Sequence, residues 1–172
     1  MLKQGLLLSL LLLSACTGVP EGLSPVHAFD AQRYLGVWYE VARLDHRFER
    51  GLEQVTAEYR LNPDGSIGVR NRGFNPSRGE WQQADGIARF VSTPDIGHLK
   101  VSFFGPFYGG YTILDLDADY RYALVSGPDR DYLWLLSRTP TLPEKEKARL
   151  LNRAQSMGFA TAQLIWVNQT AR

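Results

Sequence analysis

The chain has 172 residues and a formal net charge of +1, with no run of like charge. This balance argues against nucleic acid or another polyanion as a partner. Hydrophobic residues make up 44% and aromatic residues 12% of the sequence, which suits a chain that lines an apolar space. About 140 residues follow position 30, enough for one well-buried domain and too few for two.

Residues 1–15 are typical of an export signal rather than of folded structure. Lys3 provides a positive charge, and the apolar run from Leu6 to Leu13 is too short to span a bilayer as a helix. The sequence Leu13-Ser14-Ala15-Cys16 resembles a bacterial lipobox, in which Cys16 is acylated, with palmitate for example, and becomes the new N-terminus. Because Cys16 is the only cysteine, lipidation explains its position best. The alternative is an ordinary signal peptide with an incidental cysteine.

Several acyl chains on Cys16 predict a stable membrane anchor, which a single chain would not provide. By resemblance to lipoprotein sorting, the presence of Thr17 rather than Asp after the cysteine favours the outer membrane, with the protein facing the periplasm. Residues 16–29 are rich in Gly, Pro and Ser and are interpreted as a lipidated tether. The folded domain is therefore expected over residues 30–172.

From Tyr34 to Arg138, short alternating runs separated by turn signals indicate an all-β domain. One such turn is Asn62-Pro63-Asp64-Gly65, in which Pro fixes φ and Gly supplies a positive φ. The predicted strands cover residues 36–44, 55–61, 67–74, 81–91, 99–104, 111–116, 120–126 and 132–138. Eight strands joined as successive hairpins predict an up-and-down antiparallel β-barrel whose interior holds one small ligand.

After Arg138 the hydrophobic period changes to that of a helix. The sequence Thr141-Leu142-Pro143-Glu144 is typical of a capping box, and Gly158 marks the end of the helix. The predicted apolar stripe is formed by Ala148, Leu151, Ala154 and Met157. We expect this C-terminal α-helix to pack on the outside of the barrel and residues 164–167 to form a short final strand.

Three short motifs together resemble the lipocalin signature. They are Gly36-Val37-Trp38-Tyr39 in the first strand, Asp117-Ala118-Asp119-Tyr120 between strands six and seven, and Ser137-Arg138 at the end of strand eight. The match runs from Phe29 to about Val167. Segments 103–111 and 127–134 are similar to bacterial outer-membrane members of the family.

The lipocalin resemblance implies a barrel whose closed end holds Gly36, Trp38 and Arg138. The guanidinium of Arg138 would stack on the Trp38 indole and seal that end. The resemblance also implies that a fatty acid or a lysophospholipid is the ligand.

Strand alternation, with Arg138 fixed at the closed end, predicts which side chains face the cavity. The predicted lining residues are Trp134, Leu136, Ala57, Tyr59, Tyr122 and Phe90. Such a lining is apolar with tyrosine hydroxyls available, which suits an acyl chain whose polar head lies near the mouth. Alternation does not decide which of four basic residues meets the head group: Arg43, Arg72, Arg89 or Lys100.

The hairpin loops opposite the three motifs are expected to ring the open mouth of the barrel. These loops are residues 45–53, 75–79, 105–110 and 127–131. Exposed aromatic side chains in the third loop, Phe107 and Tyr108, would dock on a membrane surface or pair two copies in a homodimer. The alternative is that they fold back and cover the contents of the barrel.

The sequence contains no Gly-x-Ser-x-Gly elbow, no His-Glu-x-x-His and no phosphate-binding glycine loop. His46 and Glu49 have a ligand-like spacing, but they lie in a charged loop and are interpreted as solvated surface. No histidine falls on a predicted inward strand position, so we expect neither haem nor another cofactor or metal. The sequence predicts a non-enzymatic lipoprotein that stores, scavenges or transports lipid in the cell envelope. Two alternatives remain: an enzyme acting on a lipid, with Arg72 or Glu58 in the cavity, and a structural protein whose barrel is filled.

Overall fold

The computed structural model describes residues 17–170. The predicted signal peptide, residues 1–15, and the predicted lipidation site, Cys16, lie outside the described residues. The strands are β1 Gly36–Arg43, β2 Glu53–Leu61, β3 Ile67–Asn75, β4 Glu80–Phe90, β5 His98–Phe104, β6 Phe107–Leu116, β7 Tyr122–Ser126, β8 Leu133–Ser137 and β9 Ile165–Trp166. The helices are α1 Ala31–Tyr34, α2 Glu144–Ser156 and a 3₁₀ turn, Thr161–Gln163.

Strands β1 to β8 form a closed antiparallel barrel. Each strand pairs with the next along the chain, and β1 closes the sheet because it pairs with both β2 and β8. In these pairs Trp38 lies opposite Ala57, and Tyr39 lies opposite Ser137. Strand β9 adds to the outer side of β1, where Trp166 lies opposite Ala42. The predicted fold, an eight-stranded up-and-down barrel with an outer helix and a late strand, is confirmed.

The buried apolar residues form two clusters separated by the barrel wall. The interior cluster includes Trp38, Tyr59 and Val125. The outer cluster lies between the wall and α2 and includes Leu133, Leu135 and Leu150, together with Tyr122. The prediction that Tyr122 faces the cavity is therefore wrong.

The error at Tyr122 comes from counting alternation through a turn. Tyr120, two residues earlier, has a φ of +58° and precedes the strand, so the period of two does not continue from Tyr120 to Tyr122. Tyr120 joins the interior cluster, and from Tyr122 onward the inward positions are Ala123 and Val125. Strand β7 begins two residues later than the sequence predicts.

Helix α2 differs from its prediction in its start and in its buried face. Its N-cap is Pro143, and no side chain caps it, so the expected capping box at Thr141 does not form. The face against the barrel is centred on Leu150 and Ala154, whereas Ala148 is exposed. Glu144 and Glu146 in the first turn still favour the helix, because negative charge is stabilised at a helix N-terminus.

Residues 17–29, expected as a tether, run along the barrel wall. The backbone N–H of Val26 donates to the carbonyl of Ile113 at 2.9 Å, and Val26 in turn accepts from Gly97 at 2.9 Å. Phe29 is buried and belongs to the interior cluster, with its ring 5.3 Å from that of Tyr34. Between residues 17 and 170 no helix combines the length and apolar character needed to cross a membrane.

Candidate functional site

One end of the barrel is sealed by an arginine stacked on a buried tryptophan. The guanidinium carbon of Arg138 lies 4.0 Å from the ring centroid of Trp38, which is fully buried. The same guanidinium donates hydrogen bonds to the carbonyls of Val37 at 2.9 Å, Arg33 at 2.8 Å and Tyr120 at 3.2 Å. Arg138 therefore joins β1, α1 and the turn before β7 at one point. This end is closed to a ligand.

The backbone at the start of β1 accommodates the stacked side chains of Arg138 and Trp38. Gly36 has a φ of +92°, a conformation that other residues adopt only with strain. A Cβ at this position would lie 3.5 Å from Nη1 of Arg138. The Trp38 indole N–H donates to the carbonyl of Tyr34 at 2.8 Å, so the ring is also held from inside.

Above the seal the barrel holds a cavity of about 100 Å³. Four of the six predicted lining residues contribute to its wall: Ala57, Tyr59, Trp134 and Leu136. Phe90 instead packs against the edge of the interior cluster, with its ring 6.3 Å from that of Phe29. The remaining wall is mostly apolar, with valines from four strands: Val55, Val69, Val101 and Val125.

Three tyrosine hydroxyls form a chain at the floor of the cavity. The Tyr111 hydroxyl lies 2.8 Å from that of Tyr34 and 2.8 Å from that of Tyr59. Burial raises the pKa of all three above the ordinary value, so the hydroxyls remain neutral at physiological pH. Sequence reasoning predicted only Tyr59 here. Tyr111 lies on an alternating strand and was recognisable in the same way, whereas Tyr34 reaches the interior from a helix of only four residues.

A buried charged cluster, formed by Glu40, Arg43, His46 and Glu49, lies at the mouth of the cavity. Glu40 and Glu49 line the cavity wall. Nη1 of Arg43 lies 2.7 Å from Oε1 of Glu40, and its Nη2 donates to the carbonyl of Glu49 at 2.6 Å. Oε2 of Glu49 accepts from the Trp134 indole at 3.1 Å and lies 3.0 Å from Nε2 of His46. The loop between β1 and β2 is thereby held over the mouth.

The pKa values of the two carboxyl groups of this mouth cluster shift in opposite directions. Burial, and then the neighbouring charge of Glu49, raise the pKa of Glu40 well above the ordinary value. Burial alone would raise the pKa of Glu49 as well, but the neighbouring His46, whose Nε2 lies 3.0 Å from Oε2 of Glu49, outweighs burial and lowers it. Glu40 therefore keeps its proton more readily than Glu49 does.

The sequence interpretation of His46 and Glu49 as solvated surface is wrong. His46 is 7% exposed, and its ring lies 5.2 Å from that of Trp134. Glu40 was missed although a signal was available, because it follows the inward Trp38 by two positions on the same strand.

Three of the four basic residues considered as partners of a lipid head group lie away from the cavity. Arg72 stacks on the outer face of Trp81 at 4.1 Å, Arg89 pairs with Asp64, and Lys100 lies over the Tyr108 ring at 4.9 Å. Only Arg43 lies beside the cavity, as part of the mouth cluster. Across residues 17–170, no group of three or more His, Cys, Asp or Glu side chains is arranged to hold a metal ion.

The loops around the mouth expose large apolar side chains. Phe104 and Phe107 flank the two-residue turn at Gly105–Pro106 and are 75% and 70% exposed. Phe48, in the loop between β1 and β2, is 62% exposed. The predicted loop 105–110 is thus mostly strand, and its Tyr108 is half-buried.

A closed antiparallel barrel, sealed at one end and holding an apolar cavity under the other, defines a protein that binds a small hydrophobic ligand. A family model described as a lipocalin-like domain matches residues 29–169. The chain belongs to the lipocalin family, as its sequence motifs predict.

Two bacterial relatives are similar over most of their length. The Outer membrane lipoprotein Blc of Escherichia coli is 59% identical over 150 residues, which cover 87% of this chain and 85% of the relative. The protein of the same name from Vibrio cholerae is 54% identical over 165 residues, covering 95% and 96%. The outer-membrane location predicted from the sequence agrees with these names. The family and the names indicate binding or transport rather than catalysis.

Among solved structures, the cockroach allergen Per a 4 superposes with a TM-score of 0.70. The match covers 89% of this chain and 96% of that chain at 19% identity. This likeness supports the fold alone.

Proposed function

We propose that this lipoprotein holds one fatty acid or lysophospholipid in the barrel and stores, scavenges or transports it at the outer membrane. The observation that carries the proposal is the cavity, whose wall is mostly apolar, with tyrosine hydroxyls at its floor, Glu40 and Glu49 at its mouth, and Thr56 and Asn71 as further polar lining residues. An acyl chain matches the apolar section. The mouth cluster presents both signs of charge, from Arg43 and Glu49, as a zwitterionic lysophospholipid head group does.

The direction of the N-terminal segment supports a mouth that faces the membrane. The carbonyl of Gly18 lies 3.0 Å from the position of a Cβ on Gly110, beside Pro128 in the turn between β7 and β8. The carbonyl of Glu21 accepts from Arg130 in the same turn at 2.9 Å. Residues Gly18 and Glu21 therefore lie beside a turn on the mouth side of the barrel, and the carbonyl of Thr17, one residue after the predicted anchor, lies 2.9 Å from Nε2 of His98 on β5.

The exposed phenylalanines of the mouth loops support the same orientation. Phe48, Phe104 and Phe107 form the rim that an anchored barrel would present to the bilayer, and apolar rings are stable at such an interface. A ligand would then pass between membrane and cavity without crossing water. A homodimer formed through the same side chains is the competing arrangement.

Lipid binding is tested with residues 16–172 carrying Cys16→Ser, by native mass spectrometry and by titration with fatty acids and lysophospholipids of graded length. One bound lipid for each chain, with an optimum of chain length, is the expected result. Turnover of the added lysophospholipid would favour an enzyme instead. In that case Glu40 and Glu49 would be the residues to replace, because Arg72 and Glu58 do not line the cavity.

The filled-barrel alternative also has an observation in its favour. A cavity of about 100 Å³ is smaller than the roughly 300–1,000 Å³ of common ligand sites. A protein that carries no lipid after purification and binds neither class would support a structural role.

Orientation is tested by flotation with phosphatidylethanolamine vesicles. Phe104→Ser combined with Phe107→Ser should reduce vesicle binding of the unanchored protein several-fold. Leu61→Ser is the matched control, because Leu61 is exposed at the opposite end of the barrel. Equal loss in the control, or a change of oligomeric state without a change in vesicle binding, would contradict a membrane-facing rim.

A further inference from the structure

The tyrosine trio at the cavity floor, formed by Tyr34, Tyr59 and Tyr111, is not explained by the binding of a plain hydrocarbon chain. The three hydroxyls come from α1, β2 and β6, so the fold brings them together from distant parts of the sequence. Each of the three tyrosines lines a cavity whose wall is mostly apolar. Phenylalanine in their places would make the floor as apolar as the wall.

The trio has one hydrogen-bond donor more than it has contacts. Three hydroxyls carry three O–H hydrogens, and two contacts of 2.8 Å join them through Tyr111. Each contact uses one hydrogen. Within residues 17–170 the three hydroxyls have no other hydrogen-bond partner. One O–H therefore has no acceptor among the described residues, whichever way the hydroxyls are turned.

The position of the spare donor is deep in the barrel. Tyr34 and Tyr59 are 3% and 6% exposed, and the Tyr34 ring lies 4.7 Å from that of Trp38 at the sealed end. Tyr59 lies opposite Gly36, at the start of β1. A buried donor without an acceptor is unfavourable, so this location calls for an oxygen atom supplied from within the cavity.

We propose that the tyrosine trio binds an oxygen acceptor on the buried end of the ligand, so that the protein prefers oxygenated acyl chains. This inference rests on the proposed lipid-binding function and specifies its ligand class. The acceptor is a hydroxyl or carbonyl oxygen near the far end of the chain. The carboxyl group of a fatty acid that enters head first supplies the same chemistry.

Neutral phenols suit this role. Because burial raises the pKa of each tyrosine, the trio donates a hydrogen bond and does not act as a base. Arg138 lies outside the trio, on the other face of Trp38, and provides no direct partner for a ligand charge in the cavity. A neutral oxygen is thus favoured over a carboxylate at the floor.

The test compares hexadecanoic acid with two of its monohydroxy derivatives, which are isomers of each other, one hydroxylated at the terminal carbon and one hydroxylated beside the carboxyl group. The terminal hydroxyl should tighten binding about threefold to tenfold, the value of one net hydrogen bond, and the second isomer should gain nothing. Replacing all three tyrosines by phenylalanine should abolish the preference. Tyr111→Phe alone should keep it, because the outer two hydroxyls still donate.

Tyr108→Phe is the matched control, since Tyr108 lies outside the cavity. The methyl ester of hexadecanoic acid distinguishes the two sources of oxygen. If the unsubstituted acid binds head first, the triple variant weakens the acid more than the ester, which supports the oxygen site with the carboxyl as its source. Stoichiometric binding of the unsubstituted chain shows that the triple variant is folded. If it is not folded, the comparison of the two hydroxylated acids in the wild-type protein carries the test.

Equal affinity for plain and oxygenated ligands, in the wild type and in every tyrosine variant, would overturn the oxygen site and leave water as the partner of the trio. Binding of plain chains would in that case still uphold the proposed function. If no acyl ligand binds at all, the proposed function fails first, and the two failures are thereby distinguished.

Discussion

Replacing Arg138 by alanine tests whether the closed end is a structural seal. The guanidinium stacks on Trp38 at 4.0 Å and donates to the carbonyls of Val37, Arg33 and Tyr120. The alanine variant loses all of these contacts together. The cavity wall is unchanged, since Arg138 does not line it.

The expected cost follows from these contacts. A cation–π contact of a partly exposed arginine contributes about 1 kcal/mol. Each of the three hydrogen bonds contributes about 0.5–1 kcal/mol, because the released carbonyls can turn toward water. Arg138→Ala should therefore lower the free energy of unfolding by about 3 kcal/mol, a large share of the roughly 5–15 kcal/mol of a typical domain. Arg138→Lys should lose about half as much, since one ammonium group cannot span the three carbonyls.

The assay is urea unfolding, in which this loss lowers the midpoint by about 1.5 M at a typical slope. Arg121→Ala is the control, because the Arg121 side chain is 56% exposed and makes peripheral contacts, at 3.0 Å with Asp117, 3.2 Å with Asp119 and 5.4 Å from the Tyr122 ring centroid. A loss under about 1 kcal/mol in Arg138→Ala, equal to that of the control, would refute the seal. An Arg138→Ala variant that keeps its stability but has an altered lipid preference would also refute the seal.

Three further predictions concern the cavity and its ends. Trp134→Ala should weaken binding of long acyl chains and destabilise the fold by about 2 kcal/mol, and equal affinity at all chain lengths in titrations would remove Trp134 from the site. Gly36→Ala should cost about 1–2 kcal/mol in urea unfolding, because its φ is +92°; no cost would argue against that conformation. Burial raises the pKa of Glu40, so its contribution to stability is complete below the unfolded pKa of about 4.3 and is lost as pH rises through the folded value. Glu40→Gln should therefore flatten the decline of the urea midpoint toward alkaline pH, and an unchanged pH profile would contradict the neutral carboxyl.

The barrel was predictable because its determinants are local. Alternation in each strand and turn signals such as Asn62–Gly65 fix the number and order of the hairpins, and the motifs fix the closed end. The same reasoning failed at Tyr122, where the positive φ of Tyr120 interrupts the alternation. The alternation of inward and outward side chains holds only inside a strand, and the sequence does not show at which residue the strand begins.

The mouth cluster was not predictable from local pattern. A charged loop is ordinarily solvated, and the sequence of the loop between β1 and β2 is typical of such a loop. It is buried because Arg43, held by Glu40, donates to the carbonyls of Glu49 and Leu52 from inside the fold. These contacts depend on the bulge that shifts the register between Glu40 and Ala42, which only the three-dimensional pairing reveals.

The small cavity and its two polar ends together indicate how a long ligand would be accommodated. A volume of about 100 Å³ is small for an acyl chain of common length, so we expect side chains to move when such a ligand binds. The floor resists movement, because Tyr34 packs on the sealed Trp38 and is bonded to Tyr111. Trp134 is half-buried and is held to Glu49 by a single hydrogen bond of 3.1 Å. We therefore expect the mouth to rearrange while the floor stays fixed, so that the length of a bound chain is measured upward from the tyrosine trio.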